Sequence, residues 1–232
     1  MKKYIRLFSS SKIFIQDRKT LKKLILIGGG GHCKACIDVI ESGGSYEIKG
    51  ILEKDVTKGD TLLGYPILGG DELIPELVRN GYEFLITIGQ FTSPALRIKL
   101  YNTVKQAGGK LATVIASSAI VSKYAAVGEG TIVMHGCIVN ASAEIGDNVI
   151  VNTRALIEHD VQVGNHCHIS TNTVLNGGVK VGNNCFIASS VMVFHGVSIA
   201  SNSVVGGHST VVKDLKEEGV YFGNPAVVQN KK

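Results

Sequence analysis

Residues 133–169 read VMHGCI-VNASAE-IGDNVI-VNTRAL-IEHDVQ-VGNHCH-I, and an aliphatic side chain opens every group of six. The same beat runs unbroken from Ile115 to Val211, through Val121, Val127, Ile145, Leu175, Ile187 and Val205 among others. Two positions before most of these lies a second small or aliphatic residue, such as Cys137, Ala143, Val149, Val161, Cys167 and Cys185. Immediately after many of them comes a glycine or asparagine (Gly128, Asn140, Gly146, Asn152, Gly164, Gly182), types that tolerate positive φ at a corner. A period of six matches neither the 3.6 of a helix nor the two of a plain strand, and a fixed short period marks a solenoid. Each hexad reads as a short strand and a turn, with the residues two apart pointing inward together. Three hexads close a triangular coil, so the stretch forms between five and six coils, a prism about 27 Å tall at about 4.8 Å per coil. A β-sandwich would need turns every 8–12 residues.

Composition narrows the class. The chain has 232 residues, 44% of them hydrophobic, with 28 glycines and no tryptophan, which suits one small domain plus a thin-cored coil stack. No apolar run is long enough to cross a membrane, and residues 1–23 lack the apolar core and cleavage site of a signal peptide. Five cysteines fit a reduced, cytoplasmic protein, three of them as core fillers at the inward position of their hexads. The net charge of +5 is local: residues 1–23 hold eight Lys/Arg against one Asp, leaving 16 basic and 18 acidic residues elsewhere. That balance argues against a nucleic-acid face on the folded body, and the lack of a long apolar run argues against stable membrane insertion.

Ahead of the coils, Lys22–Ile27 is an apolar strand followed by Gly28-Gly29-Gly30-Gly31-His32 and a helical pattern from Ala35 to Ile40. Strand, glycine turn and helix N-terminus together make an anion site for a phosphate group. The G-x-G-x-x-G fingerprint is incomplete, since Cys33 stands at its third glycine. Strands over Ile48–Leu52 and Phe84–Ile88, with helices near Asp71–Arg79 and Pro94–Gln106, complete a βαβ alternation and imply a small parallel sheet. Glu53, ending the second strand, is placed to meet a ribose or a base edge. Cys33 and Cys36 form a CxxC, but zinc would need two further ligands, and they read as small packing residues.

Solenoid walls carry short polar residues outward, so charge and imidazole together stand out in Glu158-His159-Asp160 and in Asn165-His166-Cys167-His168. Neighbouring carboxylates raise a histidine's proton affinity and fix its tautomer, which suits a general base. His159, Gly177 and His195 lie 18 apart and share one edge of the prism, where a slender ligand could run past Gly177. His135 falls on another edge and receives no role. No serine or cysteine has triad-like spacing, which favours direct transfer over a covalent enzyme intermediate.

The glycine stretch IGGGGHCKACIDVI, the unbroken hexads, NTRALIEHD, GNHCHIS, VGGHSTVVKD and GNPA together resemble the nucleotide-sugar and sialic-acid acetyltransferases of the hexapeptide-repeat superfamily. The pattern is most similar to bacterial UDP-4-amino-sugar N-acetyltransferases and spans about residues 22–226. The resemblance implies an α/β Rossmann-like nucleotide-sugar-binding domain over 22–110, then a left-handed parallel β-helix over 111–214. A basic extension (1–21) and a tail (215–232) flank them. It further implies His159 as general base, Asp160 as the acid raising its basicity, and His168 near the acetyl-CoA thioester. Gly177, Ser189 and Gly207 would line the CoA groove; Gly30, Gly31 and His32 would hold the nucleotide-sugar, with Glu53 and Gln90 near the nucleoside. Such proteins form homotrimers with active sites between prisms, and His159, Asp160 and His168 would face that cleft together. The sequence departs from the pattern at Glu53-Lys54, where relatives often carry paired aspartates, and at Val227, where they often carry lysine.

The function so implied is acetyl-CoA-dependent N-acetylation of a nucleotide-linked 4-amino-6-deoxy sugar for surface glycan synthesis, with no metal. O-acetylation of a sialic-acid-type sugar is the near alternative. A non-catalytic trimeric scaffold, or a metal-dependent hexapeptide protein of the γ-class carbonic anhydrase type using His159, His166 and His168, is the distant one.

Overall fold

The computed structural model describes residues 21–54, 59–91 and 93–229, so the basic stretch 1–20 lies outside the described residues. Strand β1 (Lys22–Ile27) is buried from Leu24 onward and sits in the interior of a six-stranded sheet. Helix α1 (Gly31–Gly43) follows the glycine turn and stops at Gly44, whose φ of 61° gives the left-handed exit that suits glycine. The remaining elements are β2 (Tyr46–Leu52), β3 (Thr61–Leu62), β4 (Tyr65–Gly69), α2 (Ile74–Arg79), β5 (Glu83–Ile86), α3 (Ala95–Gln106) and β6 (Lys110–Leu111). The sheet order is β3-β4-β2-β1-β5-β6, and only the β3/β4 pair is antiparallel. Pattern alone misses this hairpin, because its first strand has only two residues and carries no readable alternation.

From Val114 to Val211 the chain winds into two-residue strands, each ending on an aliphatic of the six-residue series. Strands pair in parallel with partners 18 residues away, as Ile138 with Leu156 and Leu156 with Val174. The inward pairs are fully buried, Cys137 with Val139 and Cys185 with Ile187 for example. Three walls result. The first wall turns Ile132, Ile150, His168 and Phe186 outward, and the first three are buried; the second turns out Ile120, Ile138, Leu156, Val174 and Met192; the third turns out Glu144, Gln162, Lys180 and Ser198. Contacts from α1 and α3 show what covers the first wall: Asp38 and Arg97 reach coil residues on either side of it. A strand at Val220–Phe222 continues this wall beyond Val211, inside the stretch read from sequence as a tail.

The corners differ from the sequence reading. Positive φ falls three residues after the buried aliphatic, at Ser142, Asn148, Arg154, Asp160, His166 and Asn172, and not directly after it. Gly128, Gly146, Gly164 and Gly182 have ordinary φ and are needed for close approach. A Cβ on each would meet Asp147, Asn165, Asn183 or Ser201 of the next coil. Those side chains form a ladder up one corner: Asn165 Oδ1 accepts from Asp147 N at 2.8 Å, and Asn183 Oδ1 from Asn165 N at 2.8 Å.

Candidate active site

The glycine turn is held from behind. Glu53 Oε2 accepts the Gly29 N–H at 2.6 Å, and Thr87 Oγ1 donates to the Gly28 carbonyl at 2.6 Å. Gly28 has φ 105°, and a Cβ there would run into Ile88. At Gly30 and Gly31 a Cβ would meet nothing within 4 Å, so this side of the turn faces open space. That space is a cavity of about 690 Å³ between the α/β domain and the coils. Gly30, Gly31, His32 and Glu53 line it from one side, and Asn152, His168, Ser170 and Ser189 from the other.

His168 is buried in this wall. Its Nδ1–H donates to the Gln90 carbonyl at 2.7 Å, and its Nε2 accepts from the Asn152 amide at 3.1 Å. Burial pushes its pKa down to about 4, so the ring is neutral with its proton on Nδ1. His32 is likewise lowered to about 4 by burial, with the Arg97 charge adding to the effect. Phe186 flanks the His168 ring at 5.2 Å, and Phe91 meets Phe186 edge-on at 6.1 Å. Gln90 is buried behind the cavity rather than lining it. Gly207 lies one coil beyond Ser189, where a Cβ would stand 3.3 Å from the Ser189 carbonyl oxygen.

His159 occupies a different corner, after the second wall, and its side chain is exposed. Its Nδ1–H donates to Asp160 Oδ2 at 2.8 Å, a hydrogen bond that raises its pKa above the ordinary 6.5 and leaves Nε2 as the free lone pair. Gly177 sits beneath the ring: a Cβ there would lie 2.6 Å from both Cε1 and Nε2. Within one chain, therefore, His159, Asp160 and Gly177 share a corner while His168 and Ser189 share the cavity. The single cluster read from IEHD and its downstream histidine divides between two faces, because nine residues is half a coil.

Cys33 and Cys36 are buried, and burial raises both thiols, which overrides any lowering by the helix N-terminus. His166 Nδ1 accepts from Asn148 at 3.0 Å and packs edge-on against Tyr101, while both ring nitrogens of His168 are engaged. The zinc-type set His159, His166 and His168 does not converge within the chain.

A sequence profile described as the PglD N-terminal domain matches residues 23–104, and one described as bacterial transferase hexapeptide (six repeats) matches 142–177 and 160–195. Among solved structures, a perosamine N-acetyltransferase variant from Caulobacter crescentus, in complex with CoA and GDP-perosamine, superposes with a TM-score of 0.84 at 34% identity. The match covers 90% of this chain and 97% of that one. This chain belongs to the PglD-like sugar acetyltransferases. The acetyltransferase domain of PglB from Neisseria gonorrhoeae, in complex with acetyl coenzyme A, matches at 28% identity and a TM-score of 0.84, over 90% of this chain and 100% of that one. WeeI from Acinetobacter baumannii AYE shares the fold at 18% identity and a TM-score of 0.80, with the same coverage. No curated protein matches significantly by sequence. The acetyltransferase is thus a Rossmann-like α/β domain followed by a left-handed parallel β-helix, an acyltransferase acting on sugars with acetyl-CoA as donor. None of its described helices is long and apolar enough to cross a membrane.

Proposed function

We propose that this acetyltransferase transfers an acetyl group from acetyl-CoA to the amine of a nucleotide-linked 4-amino-6-deoxy sugar, for surface glycan synthesis. The observation that carries the reading is the cavity that joins the glycine turn to the coil face. Open backbone at Gly30 and Gly31, beside the N-terminus of α1, suits the substrate's diphosphate. Glu53, whose carboxylate already braces Gly29, stands toward the nucleoside with Gln90 behind it. Ser189 and Gly207 form the backbone-lined edge for CoA on the pocket corner, and Gly177 on the His159 corner.

His159 is the general base. Asp160 fixes its tautomer, so Nε2 takes the proton as the sugar amine attacks the thioester carbon. A C–N bond forms, the C–S bond breaks, and the proton taken up by His159 passes to the departing sulfur, so that CoA leaves as the thiol, in a ternary complex without an enzyme-bound acyl group. His168, neutral and fixed at both ring nitrogens, borders the acetyl side; its ring has no N–H to spare, so a coil N–H serves the oxyanion.

The two corners are joined in a homotrimer. Ile120, Ile138 and Met192 form an exposed apolar column on the second wall, the wall lying between the His159 corner and the corner of Ser170 and Ser189. An apolar column of this length suits burial against a second copy, and closed symmetry favours a three-fold ring. One prism then offers His159 toward the cavity of its neighbour. Five free, buried cysteines fit a cytoplasmic setting.

Mass spectrometry of acetyl-CoA assays against a panel of amino-sugar nucleotides and sialic acids tests the reading. Acetylation of a nucleotide-linked amino sugar supports it; acetylation of sialic acids alone replaces it with the O-acetyl alternative.

A further inference from the structure

Arg97, on α3, is 1% exposed, and among the described residues no carboxylate pairs with it. Its Nη1 donates to the Ile86 carbonyl at 3.0 Å and the Ile88 carbonyl at 2.7 Å. Its Nη2 donates to Asn148 across the domain boundary, to the backbone oxygen at 3.2 Å and to Oδ1 at 2.6 Å. Asn148 is itself fully buried at the left-handed corner position, with φ 54°, and its amide donates to His166 and back to the Arg97 carbonyl. A cation buried among neutral acceptors is costly, and replacing such groups by apolar ones is often neutral or stabilising. Packing alone does not account for it. The planar fork, however, can hold two carbonyls of one segment and one residue of another in fixed relation, which neither lysine nor an apolar side chain can do.

The segment it holds makes contacts on both sides of the cavity. Thr87 N donates to the Ile27 carbonyl at 2.9 Å, and its hydroxyl donates to the Gly28 carbonyl, tying the segment to the glycine turn. Gly89 faces His32. Gln90 presents its carbonyl to His168 Nδ1–H and its amide to the Cys185 carbonyl. Alternate carbonyls at 86, 88 and 90 are thus taken by Arg97, Arg97 and His168 in turn.

We infer that Arg97 is a positioning residue: its guanidinium clamps the Ile86–Gln90 segment to Asn148 of the coil, and so holds the Gln90 carbonyl where it fixes the Nδ1–H tautomer of His168. The catalytic part of the inference rests on the acetyl-side role proposed above for His168; the structural part does not. Without the clamp the segment shifts against the coil and the Nδ1 proton loses its acceptor. Protonation then moves toward Nε2, which opposes the Asn152 amide donor.

The test is NMR of protein labelled with 15N in its histidines, read alongside kinetics. In the parent protein His168 shows a single neutral tautomer with the proton on Nδ1. In Arg97→Met its resonances move toward a mixture or toward Nε2–H, and kcat falls roughly 10²-fold with far smaller changes in KM. Arg97→Lys keeps the charge but not the fork and fails to restore either readout. Asn148→Ala removes the shorter, side-chain contact at the coil end of the clamp, leaving only the backbone one, and moves the His168 resonances in the same direction, which decides the matter if Arg97→Met does not fold. An unmoved His168 spectrum in a folded Arg97→Met or Asn148→Ala protein, or full rescue by lysine, overturns the inference. Absence of acetyltransferase activity in the parent protein would sink the functional reading and leave the tautomer result standing.

Discussion

The imidazole of His159 lies over the backbone of Gly177, one full coil further along the chain, in the space a side chain there would fill. The colliding atoms belong to a side-chain ring that can rotate, so adding a methyl at 177 moves the ring and spares the coil. Gly177→Ala is therefore expected to leave thermal stability nearly unchanged while kcat falls through displacement of the base, by up to about 10²-fold. Steady-state kinetics with a melting curve check this; an unchanged kcat would remove the argument that Gly177 seats His159. A bulkier Gly177→Leu adds an obstruction to the groove, and its KM for acetyl-CoA should rise more than that for the sugar.

His159→Ala should lower kcat by roughly two to four orders of magnitude, the usual contribution of a general base. The fold should survive, because an exposed side chain is lost. The base form is the neutral ring, so kcat/KM should fall as pH drops through a pKa lying above the ordinary 6.5. Asp160→Asn replaces the charged acceptor that raises it with a neutral one, and the acid limb should move to lower pH with a smaller loss of rate than His159→Ala. A pH–rate profile unchanged by Asp160→Asn would count against the pairing.

Acid stability follows from the opposite shift at His32 and His168. Both pKa values lie at about 4 in the folded protein, against 6.5 for an unperturbed histidine. Between those limits the unfolded chain binds more protons, so the stability present above pH 6.5 declines as pH falls toward 4 and levels off below it. Each ring removes on the order of a few kcal/mol. Denaturant midpoints measured across that window should decline, and His168→Asn should flatten the decline. An identical slope in that variant would assign the acid loss to other groups.

Ile138→Glu places a charge in the apolar column of the second wall. If copies pack there, sedimentation should show a trimer for the parent protein and a smaller species for the variant, with activity lost at the same time because the His159 corner loses its neighbour's cavity. An active monomer in either protein would defeat the shared-site arrangement.

The coil register and its buried pairs were legible residue by residue, since a six-residue beat leaves one geometry in which Cys137 and Val139, or Cys185 and Ile187, point inward together. The strand, glycine turn and helix from Lys22 through α1 were equally readable, because each rests on local chemistry. The hairpin Thr61–Gly69 and the true corner positions were not. Glycines after the aliphatics answer to side chains 19 residues away, as Gly146 does to Asn165.

For the site, sequence by itself determined that His159 and Asp160 are adjacent outward groups and that Gly30 and Gly31 open a helix N-terminus. Only the tertiary structure decided that His168 is buried, neutral and tied to Gln90, in a cavity that the exposed His159 of the same chain does not line. It also brought in Arg97, which reads in sequence as one more basic residue on a helix. Burial and partner geometry are properties of packing across the domain boundary, and no local pattern encodes which distant carbonyls a guanidinium will meet.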